Sequence, residues 1–153
     1  MPQIHNICSH IQNSFRSRLP RISVPATRMN LALARVLYEQ GFIASVARGN
    51  RKGPDEAYVP TTNLNIASRR YWLELKYRQN EPVLTSMQVI SKPSRRITGT
   101  LSVLKNLIAG KRQGLVKPVL PGEIVMVATC YGVLEINEAV RRHVGGELLC
   151  RAR

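Results

Sequence analysis

The sequence predicts an α+β chain built as two small subdomains, and three observations carry that prediction. Segments with helical and strand periods are interspersed along all 153 residues, with no internal repeat. A turn-forming run, Gln79-Asn80-Glu81-Pro82, divides them into residues 1–80 and 81–153. Glu123 to Ala128 is a nearly continuous apolar run, suited to a strand buried on both faces. The first half is expected to be an α/β unit, a three-stranded sheet packed by two helices. The second is expected to be a mixed α+β unit.

In the N-terminal half, Ile4, Ile7, Cys8, Ile11 and Phe15 recur at steps of three and four, predicting an amphipathic helix over 3–17 that stops before Pro20. The segment is basic and free of acids, as a targeting helix would be, but it runs straight into folded-looking sequence, so a cleavable presequence is not expected. Arg21 to Pro25 reads as a short strand. Thr27 is placed to cap a helix over 28–40, whose stripe is Met29, Ala32, Leu33, Val36 and Leu37. Gly41 stands where a left-handed residue closes a helix, and Phe42 can pack back on Leu37. Strands are expected over 42–48 and 71–77. Between them, 49–70 is rich in Gly, Pro, Asn and Thr and predicts a long exposed loop, with Tyr58 and Ile66 as candidate pins.

The C-terminal half opens with an expected strand over 83–90, a turn at 91–94 and a short returning strand from Arg95 to Thr98. Leu101, Leu104, Leu107 and Ile108 mark a helix near 100–109, followed by a basic Gly- and Pro-containing loop over 110–122. After the buried strand, Ile136, Ala139, Val140 and His143 mark a last helix, and Gly145-Gly146 turns the chain into a final strand, Glu147 to Cys150.

Charge narrows the function. Twenty-three Lys and Arg against nine Asp and Glu give a net +14. No acid precedes Glu39, and none lies between Glu81 and Glu123. Two acid-free stretches in one small chain point to a strongly anionic partner, nucleic acid first and an anionic membrane surface second. No apolar run is long enough to span a membrane. Cys8, Cys130 and Cys150 lack metal-ligand or disulfide spacing and are expected as buried, reduced thiols. His5, His10 and His143 add no ligand pattern, so neither metal nor cofactor is expected. The carboxylates are scattered, Glu135 and Glu138 read as helix-start acids, and nothing places a base beside Cys130. The chain is not expected to be an enzyme or to take a small-molecule substrate.

Two segments can meet RNA. Thr129-Cys130-Tyr131-Gly132 follows the buried strand and precedes a helix, so amide groups and a hydroxyl can converge at a strand-to-helix turn, with Tyr131 free to stack. Taken alone, this run serves equally as an ordinary strand-ending turn. Ser91-Lys92-Pro93-Ser94-Arg95-Arg96 is a proline-stiffened turn that offers three cations and two hydroxyls to phosphate.

At these residues the chain resembles the small-subunit ribosomal protein eight family, in its bacterial and organellar form. Thr129-x-x-Gly132-Val133-Leu134, then Ala139, then Val144-Gly145-Gly146-Glu147-Leu148-Leu149-Cys150 follow that family's C-terminal pattern without a gap. Val89-Ile90-Ser91-Lys92-Pro93 with Arg96-Ile97 looks like its Val-Ser-Lys-Pro-Gly-x-Arg turn. Ile22-x-Val24-Pro25 and Ala34-x-Val36-Leu37 through Gly41-Phe42-Ile43 resemble its first strand-helix-strand unit. The resemblance implies binding to the central domain of small-subunit rRNA, a structural role in subunit assembly and translation, and neighbouring small-subunit proteins as partners. It makes Ala128, Thr129, Cys130, Tyr131 and Gly132 the main contact loop and Glu147 an acid near the same RNA surface. Ser91, Lys92, Ser94, Arg95 and Arg96 form a second contact, and Pro25, Thr27 and Arg28 an N-terminal one.

This sequence departs from the family where it matters. The contact loop's Ser-Thr-Ser-Lys reads Ala128-Thr129-Cys130-Tyr131, the Gly after Lys-Pro is Ser94, the aromatic after Cys150 is Arg151, and the helix-capping Thr is Glu135. Residues 49–70 and 110–122 read as insertions. Together with the Arg-bearing, acid-free N-terminus, these changes point to a mitochondrial ribosome ahead of a bacterial cytoplasmic one. The competing role is a free-standing RNA-binding or translational-regulator module of the same fold.

Overall fold

The computed structural model describes residues 3–153; Met1 and Pro2, at the start of the expected N-terminal half, lie outside them. The described chain runs α1 (Gln3–Arg16), β1 (Arg21–Pro25), α2 (Arg28–Glu39), β2 (Ile43–Gly49), β3 (Arg70–Leu75), β4 (Tyr77–Arg78), β5 (Glu81–Pro82), β6 (Met87–Val89), β7 (Thr98–Gly99), α3 (Leu101–Ile108), β8 (Ile124–Thr129), β9 (Gly132–Glu135), α4 (Ile136–Arg141) and β10 (Gly146–Ala152). It is a mixed α+β fold, as expected. Two compact units divide it: His10–Leu84, and Thr85–Arg153 together with the start of α1 through Ser9.

In the unit His10–Leu84, β1, β3 and β2 form an antiparallel sheet with β3 in the middle. Ile22 pairs with Leu73 and Val24 with Tyr71, so period-two alternation puts all four side chains on one buried face. The α2 stripe, Leu33, Ala34, Val36 and Leu37, is buried as its spacing requires. Thr27 caps the helix, its Oγ1 accepting from the Asn30 amide at 3.2 Å. At the other end the Phe42 amide donates to the Leu37 carbonyl and Gly41 to Tyr38, the two bonds of a Schellman close. Gln79 and Asn80 both have positive φ, and they make the two-residue hairpin turn joining β4 to β5.

The loop 49–70 is pinned differently from expectation. Tyr58 and Ile66 point to solvent, 81% and 58% exposed. Arg69 does the pinning instead: it is buried, its Nη1 lies 2.5 Å from Asp55 Oδ2, and its Nη2 donates to the Val59 carbonyl. A guanidinium with several donors can hold distant loop segments at once, which an exposed ring cannot.

In the unit containing Thr85–Arg153, β6-β10-β8-β9 form an antiparallel sheet, with β7 also pairing β10. Ile124 to Val127 are buried on both faces of β8. Val125 and Val127 join Leu104, Leu107, Ile136, Ala139 and Leu148 in the core. On β8 and β10, Met126 meets Cys150, sulfur to sulfur, at 3.6 Å.

Three expectations in this unit need correction. The strand over 83–90 is only Met87–Val89, because Pro82 belongs to the β4–β5 hairpin and Thr85 and Ser86 donate to the Arg153 carbonyl. The returning strand from Arg95 is only Thr98–Gly99, since Lys92 and Arg95 exchange both backbone bonds and close a two-residue turn. Finally, Gly132–Glu135 is a strand, β9, antiparallel to β8. Helix α4 begins only after it, capped by the Glu135 carboxylate on the amides of Asn137 and Glu138.

Candidate nucleic-acid interface

The run Thr129 to Gly132 is therefore the tip of a β-hairpin and not a strand-to-helix turn. Thr129 pairs with Gly132 across the ladder. Its Oγ1 donates to the Gly132 carbonyl at 2.9 Å and accepts from the Tyr131 amide at 3.2 Å. The hydroxyl thus shapes the tip, and Gly132, at φ +103°, supplies the backbone angle the turn needs. Cys130 and Tyr131 stand exposed at the tip, Tyr131 by 65%. Cys130 is not the buried thiol expected, because two-residue tips leave both side chains in solvent.

Tyr131 has a partner that sequence reading missed. The Arg142 guanidinium lies 5.9 Å from the ring centroid, while its Nε binds Glu138 Oε1 at 2.7 Å. A ring held by a cation is a preorganised platform for an unpaired base. The signal available in sequence was the Arg141-Arg142 pair closing the last helix, whose approach to Tyr131 is a tertiary contact.

The second segment reaches the same end of the sheet. Glu147 pairs with Ala128 of β8 and with Thr98 of β7. Arg96 Nη1 lies 4.0 Å from Glu147 Oε2, which places the 92–96 turn beside the row that continues into the hairpin tip. Lys92, Ser94, Arg95 and Arg96 are exposed. Ser91 is not: it is buried, and its Oγ accepts from the Ile97 amide at 2.8 Å. The turn therefore presents one hydroxyl, Ser94, where two were expected, because the Ile97 amide takes up the other.

Close backbone approach fixes this junction. A Cβ on Gly146 would collide with the Ala128 carbonyl oxygen, so only glycine lets β10 enter beside β8 and carry Glu147 to its place. The departure at Arg151 is matched within the unit: it forms a half-buried ion pair with Glu123 at 3.3 Å and donates to the Lys117 carbonyl at 2.9 Å, fastening the 110–122 insertion.

Thr27 and Arg28 belong to the other unit. Thr27 is committed to capping α2, and Arg28 is exposed. Among the described residues, no three His, Cys, Asp or Glu side chains are grouped to hold a metal ion. No helix among them is long and apolar enough to cross a membrane.

In this two-unit α+β chain, exposed cations, an acid and a cation-held tyrosine are brought to one end of a sheet. The chain belongs to the Ribosomal protein S8 family, whose sequence profile matches residues 2–152. It is 41% identical to the small ribosomal subunit protein uS8m of Schizosaccharomyces pombe over 99% of both chains. Identity to the uS8m of Neurospora crassa is 46%, over 99% of this chain and 98% of that one. The uS8 of the cyanobacterium Trichormus variabilis is 29% identical over 96% of this chain and 93% of its own. The two uS8m proteins match better than the Trichormus variabilis uS8, and the protein is a mitochondrial ribosomal one, as the diverged loops, the insertions and the acid-free N-terminus together led us to expect.

Proposed function

We propose that this protein binds the central domain of small-subunit rRNA and thereby supports subunit assembly and translation. The observation that carries the proposal is the junction of Arg96, Glu147 and Ala128, which sets a cationic turn beside a hairpin tip bearing an exposed, cation-held tyrosine. Lys92, Arg95 and Arg96 meet phosphates. Tyr131 stacks on an unpaired base, and Glu147 accepts from a base edge or a ribose hydroxyl. Thr129 and Gly132 position the tip, with the Cys130 side chain beside Tyr131. Arg28 adds a phosphate contact from the other unit. The role is one of binding and placement, without a catalytic step.

The test is sedimentation of mitochondrial lysate through a gradient at high magnesium. The protein is expected to travel with the small subunit and to leave it when the rRNA is digested. A protein that stays at the top of the gradient contradicts the ribosomal placement and supports a free-standing RNA-binding module.

A further inference from the structure

The insertion between β2 and β3 divides into two chemically different parts. Residues 50–54 form a tight basic turn, closed by the Gly49–Pro54 bridge and the Asn50 amide on the Gly53 carbonyl, with Arg51 and Lys52 exposed. Residues 57–68 hold no charged side chain, in a chain of net charge +14. Between the two parts, Asp55 is neutralised by Arg69 and Glu56 is exposed.

The neutral part is apolar and exposed. Tyr58 is 81% exposed, Leu64 97% and Ile66 58%, with Val59 beside them at 39%. Exposed apolar side chains concentrated in one short segment disfavour the free state unless something covers them. The lobe is also internally hydrogen-bonded. Asn65 accepts from the Thr62 amide at 2.9 Å and donates to the Pro60 carbonyl at 3.0 Å, folding 60–65 back on itself. Ser68 Oγ donates to the Asn65 carbonyl at 2.8 Å, and Arg69 grips the Val59 carbonyl from below. These bonds bring Tyr58-Val59 and Leu64-Ile66 to one knob whose backbone is already turned for binding, so docking costs little further ordering.

We infer that this knob is a protein-docking surface, and that its occupant is a neighbouring protein of the small subunit presenting an uncharged apolar groove. Charge decides between protein and RNA. An RNA contact draws its affinity from cations on phosphate; the knob carries none and adjoins the exposed carboxylate of Glu56, whereas the 50–54 turn carries Arg51 and Lys52. An apolar anchor flanked by neutral polar residues matches the centre of a protein interface. The inference rests on membership of the small subunit, but it does not depend on the RNA contacts proposed at the hairpin tip.

The test uses the full-length protein in assembled subunits. The photo-crosslinking amino acid benzoylphenylalanine is placed at position 64 and, separately, at position 52, and gradient-purified small subunits are irradiated. Position 64 is expected to join one small-subunit protein at a peptide of apolar, uncharged composition, while position 52 joins rRNA. The double variant Leu64→Asp with Ile66→Asp changes exposed side chains and leaves the fold intact. It should keep rRNA-fragment affinity within about twofold while occupancy of that neighbour in purified subunits falls about tenfold. A crosslink from position 64 to rRNA, no crosslink at all, or unchanged neighbour occupancy in the double variant overturns the inference. Wild-type protein absent from the small-subunit fraction overturns it too, by the separate route of failing the ribosomal placement.

Discussion

Thr129 uses both roles of its hydroxyl on its own turn, so its importance to RNA binding is indirect. Thr129→Ala should cost roughly 1 kcal/mol of stability, read as a lower denaturant midpoint with an unchanged slope, and should loosen the tip that carries Tyr131. Cysteine chemistry gives a second check at this scale. The Cys150 thiol is pushed well above its usual range by its hydrogen bond with Cys8 and then by burial, so it stays protonated near neutral pH. A brief treatment with iodoacetamide should therefore label the exposed Cys130 in the native protein, and Cys8 and Cys150 only after unfolding. Mass spectrometry of tryptic peptides reads the outcome. Early labelling of Cys150 would contradict the packing of β8, β10 and the start of α1.

At the scale of elements, the Glu123–Arg151 pair joins the last strand to the second insertion, with side-chain exposures of only 7% and 12%. Arg151→Ala leaves a largely buried carboxylate that still accepts from the Leu120 amide, and should cost about 1–3 kcal/mol, measured by thermal or denaturant unfolding. Gly146→Ala should cost about 1–3 kcal/mol, because β10 must move off the Ala128 carbonyl. These elements also mark what was legible in sequence. Helix α2 was, down to the Thr27 cap and the Gly41-Phe42 close, because every bond involved spans five residues or fewer. Strand β9 was not: its four residues show no period, and their pairing with β8 outweighs the helical start suggested by Ile136. Arg69 escaped notice because its partner Asp55 is fourteen residues away. Ser91 was misread for a related reason, since only the folded turn brings the Ile97 amide to its hydroxyl.

Across the whole molecule, the net charge of +14 is distributed and not gathered at one point. The hairpin tip carries no cation of its own between Ala128 and Gly132; Arg142, Arg96 and the 92–95 turn surround it. The 111–117 segment adds Lys111, Arg112 and Lys117, all exposed, on a loop fastened by Arg151. Affinity for any RNA should then follow the cations, and discrimination should follow the tip. Replacing one exposed lysine, such as Lys92, is expected to lower the slope of log affinity against log salt by about 0.7–0.9 without changing preference among RNAs.

We propose that recognition resides where the tip meets the turn. This placement is tested most directly by titrating wild type and the double variant Thr129→Ala with Arg96→Ala against the cognate small-subunit rRNA fragment and against a random duplex of equal length. Binding to the fragment should fall at least about tenfold further than binding to the duplex, because the loosened tip misplaces Tyr131 and costs its stacking on an unpaired base. Equal losses on both RNAs would contradict the claim and reduce the interface to generic charge.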